Sequence, residues 1–285
     1  MNNIVYLYLL SPLHTGGTTQ EGNLLGIARE SHTNLPYIPS SSIRGKLRSS
    51  FRNEMSDRIK QVKLFGPDLN ADIQDRNFVD EYEIETGKKL TQLEQGDVWI
   101  GDGSILWLPV PSLSHGVVWI SSPMLLQRWA KLNQIKVQIP QEYSTNLNTN
   151  TPIYLKDAIL KSPDLHAWNN WKAFLPQTED IASIKRLLIL PDQHCCTLIQ
   201  MSLWRQVKIK LNDQKSVDGG FRYEEAIPPD TLMYFPWGIT SQANGSANQS
   251  QNDFQAFLQQ HSLMQIGGQE SLGRGFVQQF VQPRK

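Results

Sequence analysis

The run Ile4–Leu10, IVYLYLL, constrains this chain most. It carries no charge, is rich in β-branched and aromatic residues, and stops at Ser11-Pro12. Such a segment reads as a first strand that is mostly buried. Even extended to Leu13 it is far short of the ~20 apolar residues of a membrane-spanning helix, and no basic residue precedes it. Neither an anchor nor a signal peptide is expected, and a cytoplasmic protein with no membrane partner is. The adjacent Cys195 and Cys196 have no CxxC spacing and fit a reduced compartment.

Behind the strand, His14–Gly22 (HTGGTTQEG) reads as a glycine-rich loop. Ile43, Leu47, Phe51, Met55 and Ile59 then recur at every fourth position, which predicts one helix with an apolar stripe. Arg44, Arg48 and Arg52 keep the same spacing one residue on, a basic row beside the stripe, and Ser40 or Ser41 after Pro39 would cap the start. Residues 66–95 read as an acidic insertion. Strands are expected over 98–107, 116–120 and 185–192, with a helix from Pro123 between the last two and loop with some strand over 133–157. Arg205–Leu211 and Gly219–Pro228 read as a hairpin, within 203–226, that carries basic side chains. Ser241–Asp253 is low-complexity and reads as a flexible loop; Met264–Val281 reads as strand, glycine loop, strand. The pattern is α+β, and 285 residues fit a single domain with ample core.

The chain has 27 basic and 27 acidic residues, so a polyanionic partner would need local segregation of charge. Basic residues do concentrate between Arg29 and Lys63, and acidic ones between Asp68 and Glu85, so one face can be basic and another acidic. The plain alternative is two solvated surfaces. A helix led by Ser40, Ser41 and Ser42 offers unpaired N–H groups and a partial positive charge to an anion, with Arg44 and Lys46 able to close over it. The alternative is an ordinary capped helix with a wet basic edge. Glycines in His14–Gly22 and in Gly267–Gly275 can aim several N–H groups into one concavity, although either alone is more often a turn. Neither matches a P-loop or GxGxxG, and no HExxH or GxSxG occurs, so nucleotide hydrolysis, dinucleotide binding and common hydrolytic chemistries lack support. No cofactor is expected and no metal-ligand spacing is seen. His14 could move a proton at the mouth of its loop or be a hydrogen-bonded turn histidine. Glu224 and Glu225, consecutive on a strand, face opposite ways, so only one of them can share a site.

In order along the chain, SPLHTGG, RESHTNLPYIPSSSIRGKLR, LFGP, GDGSILWLPVPSLSHGVVWISSPMLLQRW, VDGGFRYEEAIPPDTLMYFP and IGGQESLGRGFV resemble the RAMP superfamily of CRISPR proteins. Within it they resemble the family of backbone subunits of type III-B (Cmr) effector complexes. The resemblance implies a ferredoxin-like (RRM-like) palm, a β-hairpin thumb and a helical insertion, in copies that stack into a filament along CRISPR RNA. CRISPR RNA, target RNA, further copies and other complex subunits are the implied partners. The implied RNA-binding set is Gly16, Gly17, Arg29, Ser40, Ser41, Ser42, Arg44, Lys46, Arg48 and Arg52, then Arg205, Lys208, Lys210 and Lys215 on the thumb, then Gly267, Gly268, Gly273, Arg274 and Gly275 in the facing glycine loop. The family also cleaves target RNA, with an aspartate in the loop that follows the histidine. No aspartate stands between His14 and Glu30 here. Cleavage is therefore expected to be weak or lost, with His14, Glu21 and Glu225 as the residual candidates. Mg²⁺ enters only if cleavage is retained; a metal-dependent endoribonuclease is the alternative.

Overall fold

The computed structural model describes residues 3–21, 24–51, 54–68, 72–87, 89–91, 95–178, 181–241, 243 and 246–281. The opening strand β1 (Asn3–Leu9) is followed by β2 (Gly16–Glu21) and β3 (Leu24–Ile27), then by helices α1 (Ser40–Ser49), α2 (Met55–Phe65) and α3 (Arg76–Thr86). Strands β4 (Val98–Ile100), β5 (Ser104–Ser112) and β6 (Gly116–Ser121) lead to α4 (Pro123–Leu132). Short strands β7 (Ser144–Thr145), β8 (Ile153–Tyr154), β9 (Ile159–Leu160) and β10 (His166–Ala167) precede β11 (Leu187–Ile189) and α5 (Asp192–Met201). The chain ends with β12 (Trp204–Leu211), β13 (Val217–Ala226), β14 (Leu232–Ile239), α6 (Ala247–Gln260), β15 (Leu263–Gln265) and β16 (Phe276–Val281).

Strand β1 lies inside a 10-stranded mixed sheet of order β10-β7-β11-β6-β5-β14-β1-β16-β15, with β4 beside β14. Its alternation explains its composition. Val5, Leu7 and Leu9 point to a core shared with Ile43 and Leu47 of α1 and Phe254 of α6. Ile4, Tyr6 and Tyr8 point to a second core with Trp107, Trp129 and Phe174. A strand covered on both faces has no place for a polar side, hence the unbroken apolar run. The large rings keep partners for their polar atoms: Trp129 Nε1–H donates to the Tyr6 hydroxyl at 3.0 Å, and Trp107 Nε1–H to the Phe174 carbonyl at 3.0 Å. Strands β16, β1, β14 and β5 are mutually antiparallel neighbours, with α1 between β1 and β5 in sequence and α6 between β14 and β16.

Four expectations need correction. The predicted single helix over Ile43–Ile59 is two helices, broken after Ser49. The hydroxyls of Ser49 and Ser50 each donate to the Lys46 carbonyl at 2.9 Å, competing with the helical ladder. The stripe then serves different neighbours. Ile43 and Leu47 join the main core, while Ile59 joins Val62, Phe78 and Tyr82 in a small cluster between α2 and α3. Second, His14–Gly22 is largely strand rather than loop, since β2 pairs antiparallel with β3. Third, the low-complexity tract runs into α6. Phe254, Phe257 and Leu258 form its buried face, and the Ser246 and Ser250 hydroxyls donate to the buried Asp97 carboxylate at 3.1 and 2.5 Å. Fourth, the basic and acidic stretches are not fully segregated: the acidic insertion contains α3, whose Asp80, Glu81 and Glu85 are exposed, but the residues ahead of it turn to the basic helices. Asp72 takes Arg48 at 3.4 Å and Arg58 at 2.9 Å, and Asp75 takes Arg58 at 2.7 Å. Helix α5, which carries the two cysteines, is an element beyond those expected from the sequence pattern. Among the described residues no helix is long and apolar enough to cross a membrane.

Candidate nucleic-acid interface

A separate four-stranded sheet, β12-β13-β3-β2, stands beside the main one. Where it meets the start of α1 there is a cleft of about 810 Å³, lined among others by Gly16, Gly17, Arg29, Ser41, Ser42, Arg205 and Glu225. These residues come from distant parts of the sequence. Strand β13 pairs parallel with β3 through Tyr223–Leu24 and Glu224–Leu25, which brings the hairpin base to the β2–β3 ribbon. Gly17 crosses the Gly26–Ile27 backbone so closely that a Cβ there would lie 3.0 Å from the Ile27 carbonyl. Only glycine fits without a shift.

The floor is built on Glu225, whose side chain is 1% exposed. Arg29 donates to one carboxylate oxygen and Arg205 Nε–H to the other at 3.1 Å. The Glu225 carbonyl lies 2.8 Å from His14 Nδ1. Arg29 also donates to the Asn34 carbonyl at 3.2 Å and to Gln200, and Gln200 in turn donates to the same carbonyl. Asn34 sits in the left-handed region, φ 58°, where asparagine is tolerated. On the rim, Glu30 accepts from Arg128 and from the Thr33 hydroxyl at 2.5 Å. Burial alone would raise the Glu30 carboxyl, but Arg128 and Thr33 outweigh it and hold the group below its ordinary value. The two carboxylates of the cleft are thus each neutralised by guanidinium, and the Arg205 side chain remains 58% exposed.

Several expected site residues point elsewhere. The N–H of Ser40 donates to the Asp102 carboxylate at 2.7 Å, and α1 has no serine side-chain cap, so a carboxylate already sits on this helix end. Arg44 turns inward: it donates to the Val98 carbonyl at 3.4 Å and to the Phe65 carbonyl, and burial, with Arg48 nearby, lowers its pKa. Arg48 pairs with Asp72; Lys46 is partly exposed on α1; Arg52 lies outside the described residues. On the hairpin, Lys208 contacts Glu224 at 2.8 Å, Lys210 lies 3.6 Å from Asp218, and Lys215 is exposed in the turn at φ 60°. In the C-terminal glycine loop, Gly268 N–H donates to the His14 carbonyl at 2.9 Å, which ties this loop to the cleft floor. Gly267, Gly273 and Gly275 have φ of 85°, 71° and 78°. Arg274 is buried at 3% exposure and donates to Gln206 at 2.8 Å. His14 is buried at 5%. Glu21 ends β2, directly before residues outside the description. Among the described residues no group of three or more His, Cys, Asp or Glu is arranged to hold a metal ion.

The hairpin also has an apolar face, which its charge pattern does not signal. Register pairs Val207 with Tyr223 and Ile209 with Phe221, so all four share one side, above Arg205 and Glu225. They are 46%, 41%, 52% and 48% exposed, and the Phe221 and Tyr223 rings meet edge-to-face at 5.5 Å. The alternation in FRYEE carried that signal. An apolar, aromatic strip rising from a guanidinium-lined cleft can stack flat rings and hold anions beside them.

A sequence profile described as the RAMP superfamily matches residues 6–278, and the chain belongs to that superfamily. It is similar to the CRISPR system Cmr endoribonuclease Cmr4 of Pyrococcus furiosus, 29% identical over 300 residues that cover 96% of this chain and 93% of that one. In three dimensions it resembles oligomeric Cmr4 from Pyrococcus furiosus, with a TM-score of 0.68 at 24% identity over 100% of this chain and 98% of that one. It also resembles a chain of the type III-B Cmr-beta complex bound to cognate target RNA, with a TM-score of 0.73 at 19% identity over 99% and 97%.

Proposed function

We propose that this chain is a backbone subunit of a type III CRISPR effector complex. It holds guide RNA by its phosphates in the Arg29–Ser41–Ser42–Arg205 cleft, stacks with further copies into a filament, and presents complementary target RNA. The carrying observation is the convergence of Gly16, Gly17, Arg29, Ser41, Ser42 and Arg205 on one concave surface. Backbone N–H groups, small hydroxyls and guanidiniums suit phosphate, and they carry no base preference of their own, which fits recognition delegated to base pairing. The order β16-β1-β14-β5, with α1 and α6 as crossovers, supports a ferredoxin-like palm. The β12–β13 hairpin is the thumb, its apolar face available to unstack bases. The relatives named for an oligomer and for a target-bound complex support filament and RNA partners.

Target cleavage in this chain is weak or lost. No aspartate stands between His14 and Glu30, Glu225 is committed to two guanidiniums, and the His14 ring is committed to the Glu225 carbonyl. The 29% identical relative is an endoribonuclease by name, which favours a second reading, an active endoribonuclease; that it would be metal-dependent is part of the proposal. Both are tested in the assembled complex. RNA affinity should fall steeply with salt, because each neutralised phosphate releases counterions; salt-insensitive binding overturns the binding reading. Evenly spaced cutting of complementary RNA in Mg²⁺, abolished by Glu21→Ala, overturns the loss of cleavage.

A further inference from the structure

A groove of about 530 Å³ lies between the start of α2 and the outer side of α6. The break after Ser49 opens it, because the link between α1 and α2 brings Phe51 onto α6, and the small Ala256 stands on the α6 wall. Its floor is aromatic. Phe51 stacks on Phe257 with 4.3 Å between centroids and 9° between planes, and the His261 ring packs on Phe257 at 4.3 Å. His261 Nδ1 lies 2.8 Å from the Phe257 carbonyl, which can only accept, so Nδ1–H donates and fixes the ring. Phe257 is buried, whereas Phe51 and His261 are half-buried and open to the groove. The rim is acidic: Glu54 and Asp57 reach it from the start of α2 and Asp253 from α6, against one cation, Lys60. Asp253 accepts from the Gln249 amide at 2.7 Å, but none of the three carboxylates has an ion-pair partner among the described residues. The carboxylates of Glu30, Asp72 and Glu225, by contrast, all hold guanidiniums. Acids at the start of α2 suit its dipole, yet Asp253 stands in the middle of α6, where the dipole gives no reason for it. Helix α3, packed on α2 through Phe78 and Ile59, exposes Asp80, Glu81 and Glu85 and adds to the negative field.

We propose that this groove docks a basic segment of a protein partner, with an arginine guanidinium seated on the aromatic floor and its N–H groups on Asp57 and Asp253. Floor and rim together select that group. A ring face attracts a flat, weakly hydrated cation, and the carboxylates take its N–H donors. Lysine fits less well, because a compact, strongly hydrated ammonium gains less from a ring face. The same rim repels phosphate, so the occupant is protein and not RNA. This inference stands apart from the RNA-binding reading, since it uses none of the cleft or hairpin residues.

The test is an NMR titration of the isotope-labelled full chain with a blocked Gly-Arg-Gly-Arg-Gly peptide, and with the same peptide carrying lysine or citrulline in place of arginine. Citrulline keeps the shape of arginine and loses its charge. The arginine peptide should shift the amides of Phe51, Asp57, Asp253 and Phe257, the lysine peptide should bind about twofold to fivefold more weakly, and the citrulline peptide should not bind. Asp57→Asn and Asp253→Asn, which keep side-chain shape, should each weaken the arginine peptide about twofold to fivefold. No shift at these amides, or equal binding of arginine and citrulline peptides, overturns the site. Displacement of the peptide from the groove by a single-stranded RNA overturns a protein occupant. A change in sedimentation of the chain alone on Asp57→Asn makes the occupant a second copy and overturns the partner proposed. Should either variant fail to fold, the three peptides on the wild type decide.

Discussion

Arg29→Met isolates the electrostatics of the cleft floor. Glu225 is 1% exposed at its side chain and Arg29 22%, so this pair is largely withdrawn from water. Breaking a buried ion pair from one side typically costs about 3–5 kcal/mol, because the remaining charge is stranded. Here Arg205 stays on the second carboxylate oxygen at 3.1 Å, which brings the electrostatic part to about 2 kcal/mol. Loss of the Arg29 bonds to Asn34 and Gln200 adds about 1 kcal/mol. The expected total is about 3 kcal/mol, a drop in Tm of about 5 °C for a chain of this size. Equilibrium urea unfolding measures it, with Glu225→Gln and the double variant closing a cycle. A neutral amide no longer needs Arg29, so the double variant should be about 2 kcal/mol more stable than additivity requires. A single variant within ~0.5 kcal/mol of wild type, or an additive cycle, refutes the reasoning.

The acid limb of the stability curve should depend on Arg128. Glu30 has a depressed folded pKa, so its contribution is complete above the ordinary value of 4.5 and is lost as pH falls through the lower folded value. Arg128→Met should therefore destabilise at pH 7, and its deficit should shrink in chemical denaturation at lower pH; a constant deficit contradicts this. Gly275→Ala and Gly273→Ala form a second contrast. Both have positive φ, but a Cβ at Gly275 would strike the Ile266 carbonyl while Gly273 faces open space. Thermal melts should show about 1 kcal/mol lost at Gly273 and clearly more at Gly275. Phe221→Ala and Tyr223→Ala, at half-exposed positions, should cost little in stability but about 1–3 kcal/mol in RNA affinity if bases stack there.

Periodicity made the main architecture legible where packing is local. The β1 run, the hairpin and the helix capped by Ser122 before Pro123 all follow from patterns a few residues long. The break after Ser49 was not legible, because the apolar spacing continues through it and only the packing of Ile59 against Phe78 shows that a second core has taken over. Helix α6 was hidden by its composition, since its serines are held by Asp97, far away in sequence. The site was half legible for the same reason. Glycines and serines mark where backbone can approach a phosphate, and Gly16, Gly17, Ser41 and Ser42 do line the cleft. Guanidinium direction depends on distant carboxylates and carbonyls, so nothing local distinguished the exposed Arg205 from the inward Arg44 and Arg274.

The cleft itself is tested most directly by photo-crosslinking the protein to bound RNA and mapping the adducts by mass spectrometry. Adducts should fall on peptides containing Gly16–Gly17, Arg29, Ser41–Ser42, Arg205 and Phe221–Tyr223. Crosslinks confined to the α2–α3 surface, with those peptides unmodified, would contradict the account.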